Sequence, residues 1–195
     1  MKIQIKLLSD LCTCSGETYN SIVDTDVTYD ENGIPYIPAK RIRGCIREAG
    51  LEMLEFGLIS RQEYEEVFGK EGNQNSAFSL SNAYISDYEE VTEALQKTPF
   101  TELKSQQNVL DQYTATRTQT AVDLRTGVAD KNSLRTIRVV RKGLTFEAEC
   151  NWKPKVSKGD SEKAFRPEIL GQAVSLVKHM GMSRTRGLGL VRMKL

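Results

Sequence analysis

The chain has 195 residues, 39% of them hydrophobic, with 27 Lys and Arg against 26 Asp and Glu and a formal net charge of +1. That suffices for one core, as a single domain or a domain with a sizeable insertion, and no apolar run approaches the roughly 20 residues of a membrane span. A single histidine, His179, argues against His-dependent nucleophilic triads, and four cysteines with no paired C-x-x-C set argue against a structural zinc site.

The near-neutral total hides an asymmetry. Residues 1–100 carry nine basic against 17 acidic side chains, a net −8, whereas residues 101–195 carry 18 against nine, a net +9. Such a split hints at nucleic-acid contact or at acidic–basic subunit stacking. Met1-Lys2-Ile3-Gln4-Ile5-Lys6 lacks the apolar centre of a signal peptide, so a cytoplasmic protein with reduced, mostly buried thiols is expected.

Taken in order, residues 2–9 alternate Ile3, Ile5 and Leu7 against Lys2, Gln4 and Lys6, the pattern of a half-buried strand. Residues 9–31 read as loop, with a turn at Ser15-Gly16, three aspartates (Asp24, Asp26, Asp30) and a turn at residues 30–33. Pro38 suits a first helical turn, and the period is helical to about residue 56, with Ile42, Ile46, Ala49 and Met53 on one face. A helical piece at 62–68, a flexible connector at 69–75, a strand at 77–85 and a short surface helix at 89–97 follow. Residues 98–132 are polar, rich in Thr and Gln, and without a core-building period; that length between strands points to a functional loop. Residues 133–152 read as strands around a Lys142-Gly143 turn, and 153–163 as a charged loop. A helix from 167 to about 180, with Ile169, Ala173, Leu176 and Val177 as its stripe, and a strand at 190–195 close the chain.

Without its insertion the order is strand, helix, strand, strand, helix, strand. This is the α+β, ferredoxin-like βαββαβ arrangement shared with RNA-recognition modules. The aromatic consensus those modules display on their sheet is missing, so any RNA should be held by loops and the first helix.

Three stretches could carry chemistry. In the first helix, Lys40, Arg43 and Arg47 share a face near an N-terminus, which suits phosphate, although a solvated basic face reads equally well. Gly44 lies among them at a helix-interior cost of about 1 kcal/mol, which close approach of a backbone, from the protein or from a ligand, would repay. In Gly181-Met182-Ser183-Arg184-Thr185-Arg186-Gly187-Leu188-Gly189, glycines and two arginines could line an anion site, or form a plain turn between helix and strand. In residues 114–127, hydroxyls with Arg117 and Arg125 suit backbone and 2′-OH contacts to RNA, against the alternative of a solvated loop.

The run Tyr36-Ile37-Pro38-Ala39-Lys40-Arg41-Ile42-Arg43-Gly44-Cys45-Ile46-Arg47 resembles the P-Y-I-P-G-x-x-hydrophobic-K/R-G-x-hydrophobic-R signature of the RAMP superfamily, the repeat-associated RNA-binding subunits of CRISPR effector complexes. Ala39 departs from the usual Gly, which argues against a positive φ there. The glycine-rich loop resembles the C-terminal loop with which that family contacts guide RNA. The run Arg117-Thr118-Gln119-Thr120-Ala121-Val122-Asp123 resembles the R-T-x-x-x-hydrophobic-D thumb of type III subunits, which wedges between guide and target. Asp24 resembles the loop aspartate with which type III backbone subunits support Mg²⁺-dependent cleavage of target RNA. Asp26 stands where those subunits have Pro, as in type III-D subunits that cap the guide end.

The resemblance therefore implies guide RNA, target RNA and other CRISPR effector subunits as partners. It places RNA contacts at Lys40, Arg41, Arg43, Gly44, Arg47, Arg117, Arg125, Gly181, Arg184, Arg186, Gly187 and Gly189. Asp24, with Mg²⁺ and with Asp26 sharing or substituting, would be the catalytic position in a cleaving subunit. In a non-catalytic scaffold the same acids would cap turns or pair with arginines from a neighbouring copy.

Overall fold

The alternation of residues 2–7 places every second side chain of β1 (Lys2–Leu7) in the core, where Ile3, Ile5 and Leu7 are fully buried and their neighbours exposed. A computed structural model of the protein describes residues 1–14, 23–70, 76–123, 125–153 and 166–195. The expected Ser15-Gly16 turn, connector residues 71–75 and loop residues 154–163 lie outside the described residues.

β1 is the centre of an antiparallel sheet. It pairs with β6 (Thr145–Trp152) on one edge, Ile5 opposite Phe146, and with β7 (Val191–Lys194) on the other, Ile5 opposite Met193. The far edge of β6 receives β2 (Phe78–Leu80) and β3 (Tyr84–Ile85) in succession, giving the order β2/β3, β6, β1, β7. One face of this sheet is covered by α1 (Ala39–Glu55) and α5 (Pro167–Leu176). Ile42, Ile46, Ala49 and Met53 from α1, and Leu170, Ala173 and Val174 from α5, are buried with Phe146, Val191 and Met193. α2 (Arg61–Phe68) starts on a reciprocal capping box between Ser60 and Glu63. It packs so closely on α1 that a Cβ on Gly50 would lie 2.6 Å from the Phe68 ring.

The expected strand at 77–85 is split, and the cause lies at the start of α1. Pro38 is not in the first turn but is the extended residue before it, at φ −61° and ψ 137°, and it has no side chain with which to cap. Asn82 supplies the missing acceptor, its Oδ1 taking the Ala39 N–H at 3.0 Å. Ala83 meanwhile exchanges two 2.9 Å backbone hydrogen bonds with Ile37, which draws residues 82–83 away from β6, while Ser81 still donates its N–H to the Glu149 carbonyl. The last helix also stops earlier than expected, because Val177 turns extended and His179 bridges to Leu190 beside β7.

Two further expectations are corrected. Residues 98–132 are not uniformly a polar insertion: after α3 (Tyr88–Lys97) and a 3-10 turn, α4 (Gln106–Tyr113) sends Val109 and Leu110 into the main core. In addition, the strands on either side of Lys142-Gly143 do not pair with each other. β5 (Arg135–Val140) pairs instead with β4 (Thr114–Gln119) in a separate two-stranded hairpin, Thr114 opposite Val140 and Gln119 opposite Arg135. The other edge of β5 is engaged by Leu11, opposite Val140, and by Thr25, parallel to Ile137, so the root of the hairpin is stitched to the loop after β1. Arg138 is buried there, 3.1 Å from the carboxylate of Asp26 and 2.8 Å from that of Asp111.

Candidate nucleic-acid interface

The amphipathic period of α1 leaves Lys40, Arg41, Gly44 and Glu48 exposed along one strip. Lys40 has no hydrogen-bond or ion-pair partner among the described residues. Arg43 and Arg47 are half-buried on the flank that faces α2. Arg43 donates to Ser76 Oγ, while Arg47 donates to the Tyr64 hydroxyl at 3.2 Å and to the Lys70 carbonyl at 3.4 Å. A helical wheel places Lys40, Arg43 and Arg47 within about 60° of one another. Tertiary packing divides them, because α2 and the start of β2 reach only the Arg43–Arg47 flank.

Gly44 is the informative residue of the strip. It sits mid-helix and exposed, and a Cβ built on it meets no atom within 4 Å. Of the two uses for its helical cost, approach by another part of this chain is thus ruled out among the described residues. Ala39 has no positive φ, as its departure from Gly predicts.

The glycine-rich loop stands beside this strip. Gly181 and Gly189 have positive φ, and a Cβ would collide with the Cys12 carbonyl oxygen at Gly181 and with that of Met180 at Gly189, so both are required by packing within the chain. Gly187, also at positive φ (80°), closes a 3-10 turn (Arg184–Arg186) that holds both arginines on the surface. Arg184 crosses to α1, its Nη1 3.1 Å from Glu48 Oε2, whereas Arg186 has no side-chain partner among the described residues. Between α1 and this loop lies a cavity of about 310 Å³, lined by Cys45, Glu48, Val177, His179, Arg184 and Thr185. Residues 45–52 of α1 and the loop, far apart in sequence, therefore form two walls of one groove that the Glu48–Arg184 pair spans, with Lys40, Arg41 and Gly44 nearer the N-terminus of the same helix.

The open face of the main sheet is chemically different. Tyr84 is packed between Tyr36 and Tyr88, at ring-centroid distances of 5.6 and 4.5 Å. Tyr88 is desolvated and donates to Asp30 Oδ2 at 2.8 Å, and its pKa is pushed up to about 12 by burial and by that carboxylate. The cavity beside these rings is lined by Glu89, Glu90, Glu147 and Glu149. Rings that pack on one another beside carboxylates do not offer a platform for the bases of an anionic strand, in keeping with the missing aromatic consensus.

The hairpin residues sit apart from the groove wall. Arg117 on β4 pairs with Asp10, whose other carboxylate oxygen accepts the Lys142 N–H at 2.9 Å and whose carbonyl accepts the Gly189 N–H at 2.8 Å. Asp10 thus joins hairpin, turn and glycine-rich loop. Arg125 lies on a tight turn in which Asp123 accepts the Arg125 N–H at 2.8 Å and the Thr126 hydroxyl at 3.0 Å; these bonds hold the Asp123 carboxyl below its ordinary range.

The two candidate catalytic aspartates part company. Asp26 is 3% exposed and committed to Arg138, so it is unavailable to a metal or a scissile phosphate. Asp24 is exposed; its Oδ2 accepts the Thr136 N–H at 2.7 Å, and its second oxygen has no partner among the described residues. No group of three His, Cys, Asp or Glu side chains gathers there among the described residues. A single free carboxylate is a common protein contribution to Mg²⁺, which takes its remaining ligands from phosphate oxygens and water.

Sequence reasoning missed Asp10, Asn82, Arg138 and Glu48. Each acts on a residue more than 40 positions away, and a lone polar residue leaves no periodic trace. Only the excess of Arg in the second half hinted that acids of the first half were spoken for.

A family model described as the RAMP superfamily matches residues 4–192. No curated protein sequence matches the chain. Among solved structures, a chain of "Cryo-EM structure of the Type III-B Cmr-beta bound to cognate target RNA" is similar, with a TM-score of 0.69 at 15% identity, covering 99% of this chain and 95% of that one. A chain of "Type III-B Cmr-beta Cryo-EM structure of the Apo state" is similar to the same degree, with a TM-score of 0.69 at 14% identity over 99% and 95%. With a match that runs nearly end to end over the signature helix, hairpin and glycine-rich loop, this chain belongs to the RAMP superfamily.

Proposed function

We propose that the protein is a guide-RNA-binding subunit of a type III CRISPR ribonucleoprotein, acting in the cytoplasm alongside other effector subunits. The observation that carries this reading is Gly44, an exposed helix-interior glycine that no atom of the described residues approaches, on the same strip as Lys40 and Arg41 and one turn before Glu48, which Arg184 of the glycine-rich loop reaches. A phosphate backbone lying against α1 there would use the missing Cβ for close approach and the cations for charge neutralisation. The strand order supports a ferredoxin-like reading of the core, since β1 and the last strand lie side by side and bring the two walls together. On the hairpin, Arg125 is exposed and suited to the target strand of a guide–target duplex, whereas Arg117 would have to exchange Asp10 for a phosphate. The two type III-B Cmr-beta structures, one bound to cognate target RNA, support the same class of assembly.

Cleavage of target RNA is an extension of this reading. Bound Mg²⁺ would supply charge stabilisation at a scissile phosphate. Asp24 is the residue that would hold it, and Thr136 orients that carboxylate by its N–H. Asp26 takes no part, which favours either a single-carboxylate site or a non-cleaving scaffold.

The test is to express the chain with a repeat–spacer array, sequence any copurifying RNA, and measure its binding against salt. Repeat-derived RNA and a steep salt slope are expected. Salt-insensitive assembly without nucleic acid would leave a protein–protein adaptor instead.

A further inference from the structure

The segment Leu11-Cys12-Thr13-Cys14 lies between the two walls of the groove. The Cys12 carbonyl accepts the Met182 N–H of the glycine-rich loop at 3.0 Å, and the Cys14 carbonyl accepts Arg41 Nη2 of α1 at 3.5 Å. The first contact has no slack, because Gly181 approaches the Cys12 carbonyl closely enough to exclude a Cβ. Thr13 is buried, and its hydroxyl bonds that of Thr28 at 3.2 Å.

Within this segment the two sulfurs lie 3.8 Å apart, and neither is in a disulfide. Cys14 is half-buried and has φ 41°, a left-handed conformation rare for a residue with a side chain. Cys12 is buried, and that burial pushes its thiol up. Cys14 is therefore the accessible member and Cys12 the second one. Cys45 and Cys150 are both buried, on α1 and β6.

We propose that Cys12 and Cys14 are an oxidation-sensitive thiol pair, and that a hydroperoxide converts them to a disulfide that displaces the glycine-rich loop and weakens RNA binding. The Cys14 thiolate attacks one peroxide oxygen, the O–O bond breaks, and the leaving hydroxide takes a proton to become water. Cys12 sulfur then attacks the Cys14 sulfenic acid; the S–S bond forms, the S–O bond breaks, and the Cys12 proton leaves with the hydroxide as a second water. Two thiols lose two electrons, and one peroxide gains them.

A disulfide needs its sulfurs about 2.05 Å apart. Closing the gap with only Thr13 between the cysteines must rotate the backbone that carries the Cys12 and Cys14 carbonyls. The Met182 and Arg41 contacts are then the ones to give. The link to RNA rests on the proposed function; the chemistry of the pair does not.

The experiment treats the reduced protein with hydrogen peroxide and follows it by intact mass, peptide mapping, amide exchange and filter binding. Expected are the loss of two hydrogens, a mapped Cys12–Cys14 link, faster exchange at the Met182 amide, and RNA affinity lower by about tenfold, the scale of one lost charge-assisted contact. Dithiothreitol should reverse all four changes. Cys14→Ser should abolish the link, while Cys45→Ser should keep it. Separate oxidation of the two sulfurs to acids, or no reaction, overturns the proposal. A disulfide that changes neither Met182 exchange nor RNA affinity overturns the coupling. Changed Met182 exchange in a protein that binds no RNA in either state supports the pair and overturns only the guide-RNA reading.

Discussion

Replacing Gly44 with Ala should make the protein more stable and a worse RNA binder. Glycine in an exposed helix interior costs about 1 kcal/mol relative to Ala. Among the described residues no atom lies within 4 Å of the added Cβ, so no clash offsets that gain. For a chain of this size, about 1 kcal/mol corresponds to a rise in Tm of about 2–4 °C. The same methyl would stand where the RNA backbone approaches, and overpacking a close contact costs about 1–3 kcal/mol, or about five- to 150-fold in affinity. Gly44→Leu should extend the trend, keeping the helix stable while weakening RNA further. Thermal melts and filter binding on the same preparations give both readouts. An Ala variant that melts higher and binds RNA as tightly as the parent would refute the reasoning, because nothing would then approach the helix at that position.

Four further outcomes are expected. Lys40→Ala and Arg186→Ala should weaken RNA binding across sequences and lower the salt slope by about one unit each, whereas Arg43→Ala and Arg47→Ala should show mainly as lower Tm, since those guanidinium groups brace α1 against α2 and the start of β2. Removing the hairpin tip, residues 121–129, should leave a cooperative melt, but Leu110→Ala should cost about 2–5 kcal/mol by opening the main core, read from denaturant midpoints. Asp26→Asn should destabilise by about 3 kcal/mol, at the low end for a broken buried pair because Asp111 still holds Arg138; Asp24→Asn should leave the melt unchanged and, if Mg²⁺ cleavage occurs in the assembled complex, abolish cutting of labelled target RNA. Because Asp123 has a depressed pKa, its contribution to the hairpin tip is complete above its ordinary value of 3.8 and lost as pH falls through the lower folded value; the Arg125 amide, followed by NMR, should stay protected until that point.

The sequence by itself determined the periodic parts of this protein. The alternation of β1 and the apolar face of α1 were legible because burial on one face imposes a period of two or about 3.6 residues. The expected stripe of α5 held only in part: Ile169 and Ala173 are buried, but Leu170 and Val174 complete the face and Leu176 is exposed. The signature around residues 36–47 and the glycine-rich loop were legible for a different reason, since their special residues are contiguous. Tertiary structure alone decided how contiguous residues divide their work. It turned Arg43 and Arg47 toward α2 while leaving Lys40 and Gly44 exposed, and it buried Asp26 on Arg138 while leaving Asp24 exposed. It also moved Val109 and Leu110 from an apparently polar insertion into the core, and paired β5 with β4 rather than with β6. These outcomes depend on ion pairs and hydrogen bonds to partners dozens of residues away. Such partners are selected by the geometry of the folded chain and leave no period along the sequence.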